Sequence, residues 1–369
     1  MNLLHLYKDY YPVMGGIENH VRLLAESQAA RGHTVTVLVT SGDGHTRVEQ
    51  RQGVRVIYAA RLAAVASTPL SLALPLLLRR ERPDITHLHF PYPVGDLAQR
   101  FFGRSRRTVI SYHSDIVRQK RLLRLYAPLL RQALARADAV IAASPPYIAT
   151  SPFLAPLAGK VTVIPYGIDA ARFAAADAAA VADLRRRYPG PLLLFVGKLR
   201  YYKGVEFLIR ALPRVPAATV LLVGGESSVQ RSELEALAQT LGVVERIKFL
   251  GQQSEAELPA LYHAADVFVL PSIERSEAFG IVQLEAMAAG CPVVSCDVGT
   301  GVAWVNQDGQ TGLVVPPRQP EALAAALNEL LADPARRAAL GAAGRERVRA
   351  HFTQARLLDA LEALYARTL

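Results

Sequence analysis

Cysteine is scarce in this sequence, and its scarcity excludes both a disulfide framework and a cysteine-based metal site. The chain has two cysteines, Cys291 and Cys296, in one predicted strand. Five residues along a strand separate them by roughly 16 Å and place them on opposite faces, which is too far for a disulfide. Histidines are not clustered in a zinc-binding pattern either, so we expect no metal site. Unpaired thiols are typical of a reducing compartment, and we expect a cytoplasmic protein.

Long hydrophobic runs are also missing. The longest, Leu62 to Leu78, is shorter than 20 residues and contains Pro69 and Pro75, so it predicts a buried or surface-packed helix rather than a membrane span. A charged segment followed by an apolar stretch does not open the chain, and we expect no secretory signal. With 369 residues, 51% of them hydrophobic and 20% charged, the composition indicates a globular protein of two domains.

Negative charge is sparse in the first half of the chain. Residues 1–165 carry 21 Lys+Arg against 10 Asp+Glu, a net charge of +11, whereas residues 166–369 carry 21 against 22. Between positions 100 and 136 only Asp115 offsets ten basic residues. Leucines beside the basic residues of segment 118–131 predict an amphipathic surface helix. Such a segment contacts an anionic membrane surface or is a solvated face; without interleaved aromatics for base stacking, we expect no nucleic-acid binding.

Alternating strands and helices run through the chain and predict parallel, doubly wound sheets. In the first half we predict strands at 2–7, 35–40, 54–58, 84–89, 107–112, 138–143 and 161–165. In the second half we predict strands at 191–197, 219–223, 246–250 and 266–270, another directly after Gly290, and a last one at 312–315. We place the domain boundaries at 1–167 and 168–352, followed by a terminal helix over 353–369.

Two strand ends in the first half carry candidate site residues. Gly15 and Gly16 open a helix after the first strand, and glycine lets a backbone amide approach an anion closely. His113 follows the strand 107–112, at the edge where open α/β sheets bind ligands; the alternative is a structural hydrogen bond. His87 and His89 share one face of a strand, where we expect core or interdomain packing.

In the second half, the loop after the strand 191–197 contains three cations, Lys198, Arg200 and Lys203, ahead of Gly204. Three positive charges at the start of a helix favour an anionic ligand such as a diphosphate over a solvated loop. Their charge can offset the negative charge that grows on a leaving diphosphate.

The stretch from Pro271 to Val294 joins a loop, a helix and a strand. Glu277 lies just before the helix and Glu285 on it, eight residues later. At 1.5 Å per residue the two carboxylates lie roughly 10 Å apart, which suits hydroxyl groups spaced along a polyhydroxylated ligand. A helix-start preference for Glu277 and a solvated position for Glu285 remain the alternative.

This stretch, EAFGIVQLEAMAAGCPVV, resembles the E-x7-E signature of the retaining glycosyltransferases of family four, a nucleotide-sugar-dependent group. GGIEN at residues 15–19 and KLRYYKG at residues 198–204 are similar to further motifs of the family. Three positions depart from its pattern. Lys198 stands where arginine is usual, Tyr166 where asparagine is common, and Ala303-Trp304 where glutamate is common.

The resemblance implies a GT-B fold, in which two Rossmann-like domains face each other across a cleft and a final helix crosses back to the first domain. It also implies roles for the candidate residues. Lys203, with Lys198 or Arg200, would neutralise the leaving diphosphate. The backbone of Gly15 and Gly16 and of Phe279-Gly280-Ile281 would position the donor. Glu277 would hold donor sugar hydroxyls, Glu285 the ribose, and His113 a hydroxyl next to the anomeric carbon.

The expected function is transfer of a hexose of mannose or glucose type, with retention, from a UDP- or GDP-sugar to a saccharide or lipid-linked acceptor in envelope polysaccharide or glycolipid synthesis. We expect no metal and no cofactor, since the sequence contains no D-x-D pair to hold a divalent ion. A soluble acceptor, as in sucrose or trehalose synthesis, is the alternative within this class. A non-catalytic nucleotide-sugar-binding protein and a GT-B epimerase or hydrolase stay open. A Rossmann dehydrogenase is disfavoured because G-x-G-x-x-G is absent after the first strand.

Overall fold

The computed structural model describes residues 1–13, 15–65, 68–117, 119–216, 218–225 and 228–369, apart from the side chains of Lys120 and Ser228. The chain divides into two compact units. The first unit comprises Met1–Pro165 and Leu357–Leu369, and the second comprises Tyr166–Arg356. The first division, after Pro165, lies two residues before the boundary expected from the sequence. The second division, after Arg356, lies four residues after the expected one. Each unit is an α/β domain built on its own sheet.

The first unit contains an eight-stranded sheet in the order β10-β9-β8-β7-β1-β2-β4-β3. Its strands are β1 (Asn2–Leu6), β2 (Thr34–Thr40), β3 (Arg47–Arg51), β4 (Val54–Ala59), β7 (Ile85–Phe90), β8 (Arg107–Tyr112), β9 (Ala139–Ala142) and β10 (Val161–Val163). Neighbouring strands are parallel, except that β3 and β4 are antiparallel. Its helices are α1 (Gly16–Ala30), α2 (Ala73–Arg80), α3 (Pro93–Phe102), α4 (Lys120–Arg136), α5 (Pro145–Thr150) and a 3-10 helix, Ala155–Lys160.

Two parts of the first unit differ from the sequence prediction. The apolar run from Leu62 to Leu78 is not one helix: β5 (Ala63–Val65) and β6 (Thr68–Leu70) form an antiparallel ribbon, and only then does α2 begin. Pro69 falls within the ribbon, whereas Pro75 lies in the first turn of α2, where proline is tolerated. Strand β3 was missed because it is a charged edge strand, RVEQR, with no buried residue, and charge is typical of such edges.

The second unit contains a fully parallel six-stranded sheet in the order β13-β12-β11-β14-β15-β16. The strands are β11 (Leu192–Val196), β12 (Thr219–Val223), β13 (Ile247–Gly251), β14 (Val267–Leu270), β15 (Val293–Cys296) and β16 (Gly312–Val315). The strand order reverses direction between β11 and β14, and such a switch point is where open parallel sheets bind ligands. Both cysteines are buried and free, as the sequence indicated.

Helices cover the second sheet on both of its faces. They are α6 (Ala170–Ala174), α7 (Ala178–Arg187), α8 (Val205–Ala211), α9 (Ser228–Thr240), α10 (Leu258–Ala264), α11 (Ile281–Ala289), α12 (Val302–Val305), α13 (Pro320–Ala332) and α14 (Pro334–His351). Short 3-10 helices occupy Tyr201–Lys203, Leu212–Arg214 and Val244–Arg246. The strands are apolar on both faces, as expected of parallel strands between helical layers; Leu193, Phe195 and Val267 are fully buried with Leu208 and Leu327 from α8 and α13.

The last helix, α15 (Gln354–Thr368), returns to the first unit from Leu357 onward. Its residues Leu361 and Tyr365 are buried there, and Arg31 of α1 lies 2.8 Å from Asp359 and 3.1 Å from Glu362. These ion pairs are partly exposed, so the buried apolar side chains contribute most of the docking energy. Within the described residues, no helix has both the length and the apolar character needed to cross a membrane.

Candidate active site

The candidate site of the second unit lies where two loops leave the carboxyl ends of β11 and β14. The backbone N–H of Ile273, after β14, donates to the carbonyl of Tyr202, after β11, at 2.8 Å. Gly204 makes this approach possible. Its φ is +66°, and a Cβ at this position would lie 2.1 Å from the carbonyl oxygen of Pro271. Glycine is therefore required there both for its backbone conformation and for its missing side chain.

The two loops bring together two of the predicted site residues, Lys203 and Glu277. The Lys203 ammonium lies 2.5 Å from Oε2 of Glu277, and the two side chains are 11% and 9% exposed. The Ser272 hydroxyl donates to the same carboxylate oxygen at 3.1 Å. Burial alone lowers the pKa of Lys203, but the Glu277 carboxylate outweighs it and the pKa is raised. Lys203 therefore stays a cation despite its burial.

Both groups of this ion pair can still form hydrogen bonds to a further ligand. An ammonium group has three N–H donors and a carboxylate has two oxygens, so the contact between Lys203 and Glu277 uses only part of what each can offer. Lys198 and Arg200, in the same loop after β11, are exposed. The loop therefore presents one buried and two exposed cations at the switch point of the sheet.

Two side chains from outside the loop that follows Glu277 hold its backbone carbonyl groups in place. The Thr300 hydroxyl donates to the carbonyl of Glu277 at 2.7 Å, and the Gln283 side chain donates to the carbonyl of Phe279 at 2.6 Å. Gly280, with φ of +72°, caps α11. The first N–H groups of a helix have no partner within it, so residues from Ile281 onward direct backbone donors and the positive end of the helix dipole toward this loop.

Glu285 lies one helical turn further along α11. The Tyr262 hydroxyl donates to its Oε2 at 2.7 Å. Burial raises the pKa of Glu285 to about 7, because desolvation of the carboxylate outweighs this hydrogen bond. Near neutral pH the carboxyl group therefore exchanges between an acceptor and a donor form, and either form binds a hydroxyl.

In the first unit, His113 belongs to a cluster of buried histidines. Strand register pairs His5 of β1 with His87 of β7, and His89 with Ser111 of β8. Because alternate residues of a strand share a face, His89 and His113 lie on the same side of the sheet. The backbone N–H of His113 donates to the carbonyl of Phe90 at 3.1 Å, which continues the pairing beyond the end of β8.

The ring nitrogens of this cluster are linked to one another. His113 Nε2 lies 2.9 Å from His89 Nδ1, His89 Nε2 lies 2.9 Å from His5 Nδ1, and His5 Nε2 lies 2.7 Å from Gln28 Oε1. His87 contacts the Tyr365 hydroxyl at 2.6 Å and the Ser111 hydroxyl at 2.7 Å. Burial lowers the pKa of His5 to about 4 and that of His113 to about 3, so both are neutral at pH 7.

The rings of His5, His87 and His89 offer nitrogens within 4.8 Å of one another, a spacing that a metal ion could bridge. In this structure, however, both nitrogens of all three rings already have hydrogen-bond partners at 2.6–2.9 Å. A bound metal needs a nitrogen lone pair from each ring, and these hydrogen bonds would have to break. We therefore interpret the cluster as a hydrogen-bonded network.

Comparison with known proteins places this geometry in a family. The model of Glycosyltransferase Family 4 matches residues 14–172, and that of Glycosyl transferases group 1 matches residues 180–347. The chain is 37% identical to O-antigen chain mannosyltransferase C of Escherichia coli, over 100% of this chain and 99% of the relative. The protein belongs to glycosyltransferase family 4. The resemblance stated from the sequence is thereby confirmed, and the protein is an enzyme of the hexosyl-transferring class.

Two further similarities agree with this family assignment. The chain is 37% identical to D-rhamnosyltransferase WbpZ of Pseudomonas aeruginosa, over 96% of this chain and 92% of the relative. Its fold matches sucrose-phosphate synthase from Thermosynechococcus elongatus with a TM-score of 0.84 at 28% identity, covering 100% of this chain and 99% of that one. The GT-B class expected from the sequence is confirmed.

The family 4 motif at Gly15 and Gly16 lies at the start of α1, with Gly15 at the N-cap. A Cβ built at Gly16 would meet no described atom within 4 Å. The packing of the described residues therefore does not itself require glycine at position 16. Met14, directly before this pair, lies outside the described residues.

Sequence reasoning on this family 4 protein missed His5, His20 and Gln28. His20 packs its ring edge-on to that of His113, with centroids 5.4 Å apart. His87 and His89, assigned to packing, are indeed buried, but they also hydrogen-bond. A histidine in the middle of an otherwise apolar first strand was the available signal, because an isolated buried imidazole needs a polar partner.

Proposed function

We propose that this enzyme transfers a hexose of mannose or glucose type from a UDP- or GDP-sugar with retention of anomeric configuration and without a metal ion. The observation that carries the proposal is the buried, ion-paired Lys203 at the strand-order switch point of the second unit. Its charge is kept despite burial, and a fixed cation at that edge of the sheet suits the diphosphate of a nucleotide sugar.

The leaving diphosphate gains negative charge as the bond to the sugar breaks. Lys203, supported by the exposed Lys198 and Arg200, offsets this charge in the way a divalent ion would. A lysine acts as a point charge rather than as a bidentate fork. Substitution of lysine for the usual arginine at position 198 therefore keeps the electrostatic contribution while relaxing the geometry. The N–H groups at the start of α11 add to the same positive potential.

The donor sugar and the ribose would be held by the two carboxyl groups. Glu277 is fixed by Lys203 and Ser272, and its remaining acceptor capacity suits sugar hydroxyls. Glu285, fixed by Tyr262, suits the ribose. His113 would contact a hydroxyl next to the anomeric carbon.

The ion pair between Glu277 and Lys203 argues against a covalent sugar intermediate on Glu277. A carboxylate that pairs with a buried ammonium is stabilised as an anion and is a poor nucleophile toward an anomeric carbon. A same-face attack, in which a departing phosphate oxygen accepts the proton of the acceptor hydroxyl, needs no protein nucleophile. The rigid loop 277–280 then serves to orient the donor.

For the acceptor, we propose a saccharide on a lipid anchor, in bacterial polysaccharide or glycolipid synthesis. The relatives named for O-antigen and D-rhamnose transfer support the saccharide part. The lipid part rests on the α4 surface, which we define as the exposed Arg121, Leu122, Arg124, Leu125 and Leu129. Leu122 and Leu125 are 50% and 79% exposed.

The α4 surface combines apolar side chains with positive charge, and this pattern suits anionic lipid headgroups. Tyr126 donates to Asp96 of α3, and Leu130 and Leu134 of α4 are buried. These contacts fix the rotation of α4 and leave Leu125 turned outward. Exposed Phe101, at the end of α3, is a further apolar group of this unit. Arg118, which the sequence analysis included in this segment, lies outside the described residues.

The proposal is tested by measuring thermal unfolding with UDP, GDP, ADP, dTDP or NAD, each at millimolar concentration. A ligand at about 100 times its dissociation constant stabilises the folded state by roughly 2.7 kcal/mol, and this shifts the midpoint by several degrees. We expect a shift with UDP or GDP that the Lys203→Gln variant loses. A shift with NAD alone would contradict the proposal.

Reaction of the matching sugar donor tests retention and metal independence. The anomeric configuration of the product, read by NMR, should equal that of the donor, and the rate should be unchanged by a chelator. An inverted product would contradict the same-face mechanism, and a chelator-sensitive rate would contradict the role of the Lys203 loop.

A further inference from the structure

Four aromatic rings of the second unit, those of Tyr166, Phe279, Trp304 and Phe352, pack against one another, and we call them the aromatic cluster. Phe279 belongs to residues 277–281, which we call the donor loop. We propose that Tyr166, Trp304 and Phe352 are positioning residues that hold this loop with its backbone N–H groups directed toward the diphosphate of the donor. The proposal rests on the proposed binding of a nucleotide sugar at this loop and explains how the loop is prepared for it.

The Phe279 ring contacts the three other rings of the cluster. Its centroid lies 5.1 Å from that of Tyr166, 6.2 Å from that of Trp304 and 5.9 Å from that of Phe352. Trp304 and Phe352 also contact each other, at 5.6 Å. The interplanar angles of these pairs lie between 58° and 82°, as tilted and edge-to-face aromatic pairs prefer. Phe279 is only 2% exposed, so close packing leaves its ring few alternative positions.

The rings that surround Phe279 come from distant parts of the sequence. Tyr166 lies before α6, Trp304 on α12, and Phe352 directly after α14. Backbone hydrogen bonds join the segments of Tyr166 and Phe352. The N–H of Ile168 donates to the carbonyl of Phe352 at 2.9 Å, and the N–H of Gln354 donates to the carbonyl of Ile168 at 2.9 Å. Two of the supporting rings are therefore fixed to each other independently of the donor loop.

Arg347 of α14 fixes the third supporting ring, that of Trp304. Its Nε donates to the carbonyl of Val305 at 3.0 Å, and its Nη2 donates to the carbonyl of Trp304 at 2.8 Å. Its guanidinium carbon also lies 5.7 Å from the centroid of the Trp304 ring and 5.4 Å from that of Phe352, within the range of a cation–π contact. Both the backbone and the ring of Trp304 are thus held by α14.

Residues just before Trp304 bind the backbone of the donor loop. The Thr300 hydroxyl donates to the carbonyl of Glu277 at 2.7 Å. The backbone N–H of Gly301 donates to the carbonyl of Ala278 at 2.9 Å. The backbone of the loop therefore depends on where the segment that carries Trp304 lies.

The Gln283 side chain extends this connection by one residue. Its Nε2 donates to the carbonyl of Phe279 at 2.6 Å and to the carbonyl of Val302 at 3.3 Å. Three consecutive carbonyl groups of the donor loop, those of residues 277–279, are therefore held by the segment 300–302, directly or through Gln283.

These carbonyl contacts determine where the N–H groups of the loop point. The peptide bonds of the loop are trans, and in a planar trans peptide unit the C=O and N–H groups point in opposite directions. The N–H groups of residues 278–280 therefore face away from the segment 300–302. Among the described residues these three N–H groups have no hydrogen-bond partner. Together with the first N–H groups of α11 they suit the oxygens of a diphosphate.

Tyr166 and Trp304 stand at two of the positions where the sequence departs from the family pattern. Asparagine is common at the first and glutamate near the second, whereas both residues are aromatic in this chain. The structure brings both of them onto the same ring, that of Phe279. The two departures thus form one feature, an aromatic support of the donor loop.

Two substitutions of Trp304 test the positioning role. Trp304→Leu removes the aromatic ring, whereas Trp304→Phe keeps one. If Trp304→Leu lowers the fraction of protein with a correctly placed loop to about a tenth, the donor KM and the dissociation constant of UDP or GDP should rise about tenfold. The kcat at saturating donor should change little, because bound donor restores the loop. Trp304→Phe should keep most of the wild-type affinity. An unchanged KM in Trp304→Leu would overturn the proposal.

Leu327→Ala is the control for a general loss of stability. Leu327 of α13 is fully buried in the core that includes Leu208 of α8, and its truncation leaves a cavity there. We expect this variant to lower the midpoint of thermal unfolding at least as much as Trp304→Leu and to leave the donor KM unchanged at 25 °C. An equal rise of KM in the two variants would mean that Trp304 acts only through stability, and the positioning role would be wrong.

A double variant tests whether Tyr166 and Trp304 act through the same ring. Tyr166→Leu should raise the donor KM as Trp304→Leu does. The double variant Tyr166→Leu/Trp304→Leu should raise it by clearly less than the product of the two single effects, because residues that share a partner are not additive. A rise equal to the product would mean that the two residues act independently and would overturn the joint role.

Failure of the proposed function gives a different result from failure of the positioning role. A wild-type protein that binds neither UDP nor GDP would remove the donor site itself, and the positioning role with it. Binding by the wild-type protein that Lys203→Gln loses, together with an unchanged affinity in Trp304→Leu, would reject only the role of the aromatic cluster.

Discussion

The Lys203 ammonium lies 2.5 Å from the Glu277 carboxylate, and both side chains are about nine-tenths buried. Removal of one partner leaves an uncompensated buried charge, which costs about 3–5 kcal/mol. We therefore expect Lys203→Ala to lower the free energy of unfolding by that amount, measured in denaturant. We also expect it to lower turnover by roughly 100-fold, the scale of losing one electrostatic contact to the leaving group.

The double variant Lys203→Met/Glu277→Gln separates these two effects. With both charges removed, much of the lost stability should return, because replacing a buried ion pair by neutral groups is often close to neutral. Turnover should stay low. Recovery of turnover together with stability would mean that Lys203→Ala loses activity by unfolding, and the proposed contact with the diphosphate would then be wrong.

Gly204→Ala tests the close approach of the two loops, and Gly309→Ala is its control. Both glycines have positive φ, +66° and +68°, but a Cβ at Gly309 would meet no described atom within 4 Å. Gly309→Ala should cost about 1–2 kcal/mol from backbone strain alone and leave turnover unchanged. Gly204→Ala should cost more and lower turnover, since the new Cβ pushes Pro271 and the following loop away. Equal effects of the two variants on stability and turnover would contradict this account.

Glu285 makes the stability of the folded state depend on pH, and Glu285→Gln should abolish this dependence. Its pKa is raised from 4.5 to about 7 in the folded protein, so the folded state binds more protons than the unfolded state between these values. Stability contributed by this group therefore falls as pH rises from 4.5 to 7 and is constant above 7. The loss is at most about 3 kcal/mol.

The difference in unfolding free energy between the wild-type protein and Glu285→Gln isolates this contribution from other titrating groups, including Asp96, whose pKa burial also raises to about 7. We expect the variant to gain relative stability from pH 5 to pH 8 and to bind the nucleoside diphosphate more weakly. A pH-independent difference would contradict the burial of an ionisable carboxyl group at this position.

The α4 surface predicts binding to anionic vesicles. Replacing Arg121 and Arg124 by serine should weaken sedimentation with phosphatidylserine vesicles roughly 30-fold, at about 1 kcal/mol for each charge. Leu122→Ser/Leu125→Ser should weaken it further. Arg186→Ser/Arg187→Ser removes two exposed arginines from α7 of the second unit and should leave binding unchanged. An equal loss of vesicle binding in the two double-arginine variants would mean that binding depends only on the net charge of the protein and not on the α4 surface.

The sequence by itself determined the family, the fold class and the strand ends that carry His113, Lys203 and Glu277. These features are local: a strand, a glycine turn and a helix start follow one another within about ten residues, and the E-x7-E stretch is contiguous. Predicted strands such as 107–112, 219–223 and 312–315 match the observed bounds, because apolar runs between turns define parallel strands clearly. The ribbon β5–β6 was missed because a short apolar run with prolines fits either a helix or strands.

Only the tertiary structure decided which side chains meet. Lys203 and Glu277 are 74 residues apart, and His5 and His89 are 84 residues apart. Their contacts depend on the order and register of strands in each sheet, which no local pattern encodes. The same holds for protonation. Burial and hydrogen-bond or charge partners fix the neutral form of the histidines, the raised pKa of Glu285 and the retained charge of Lys203. Burial and partners become defined only when the chain has folded, because desolvation is a property of the packed interior.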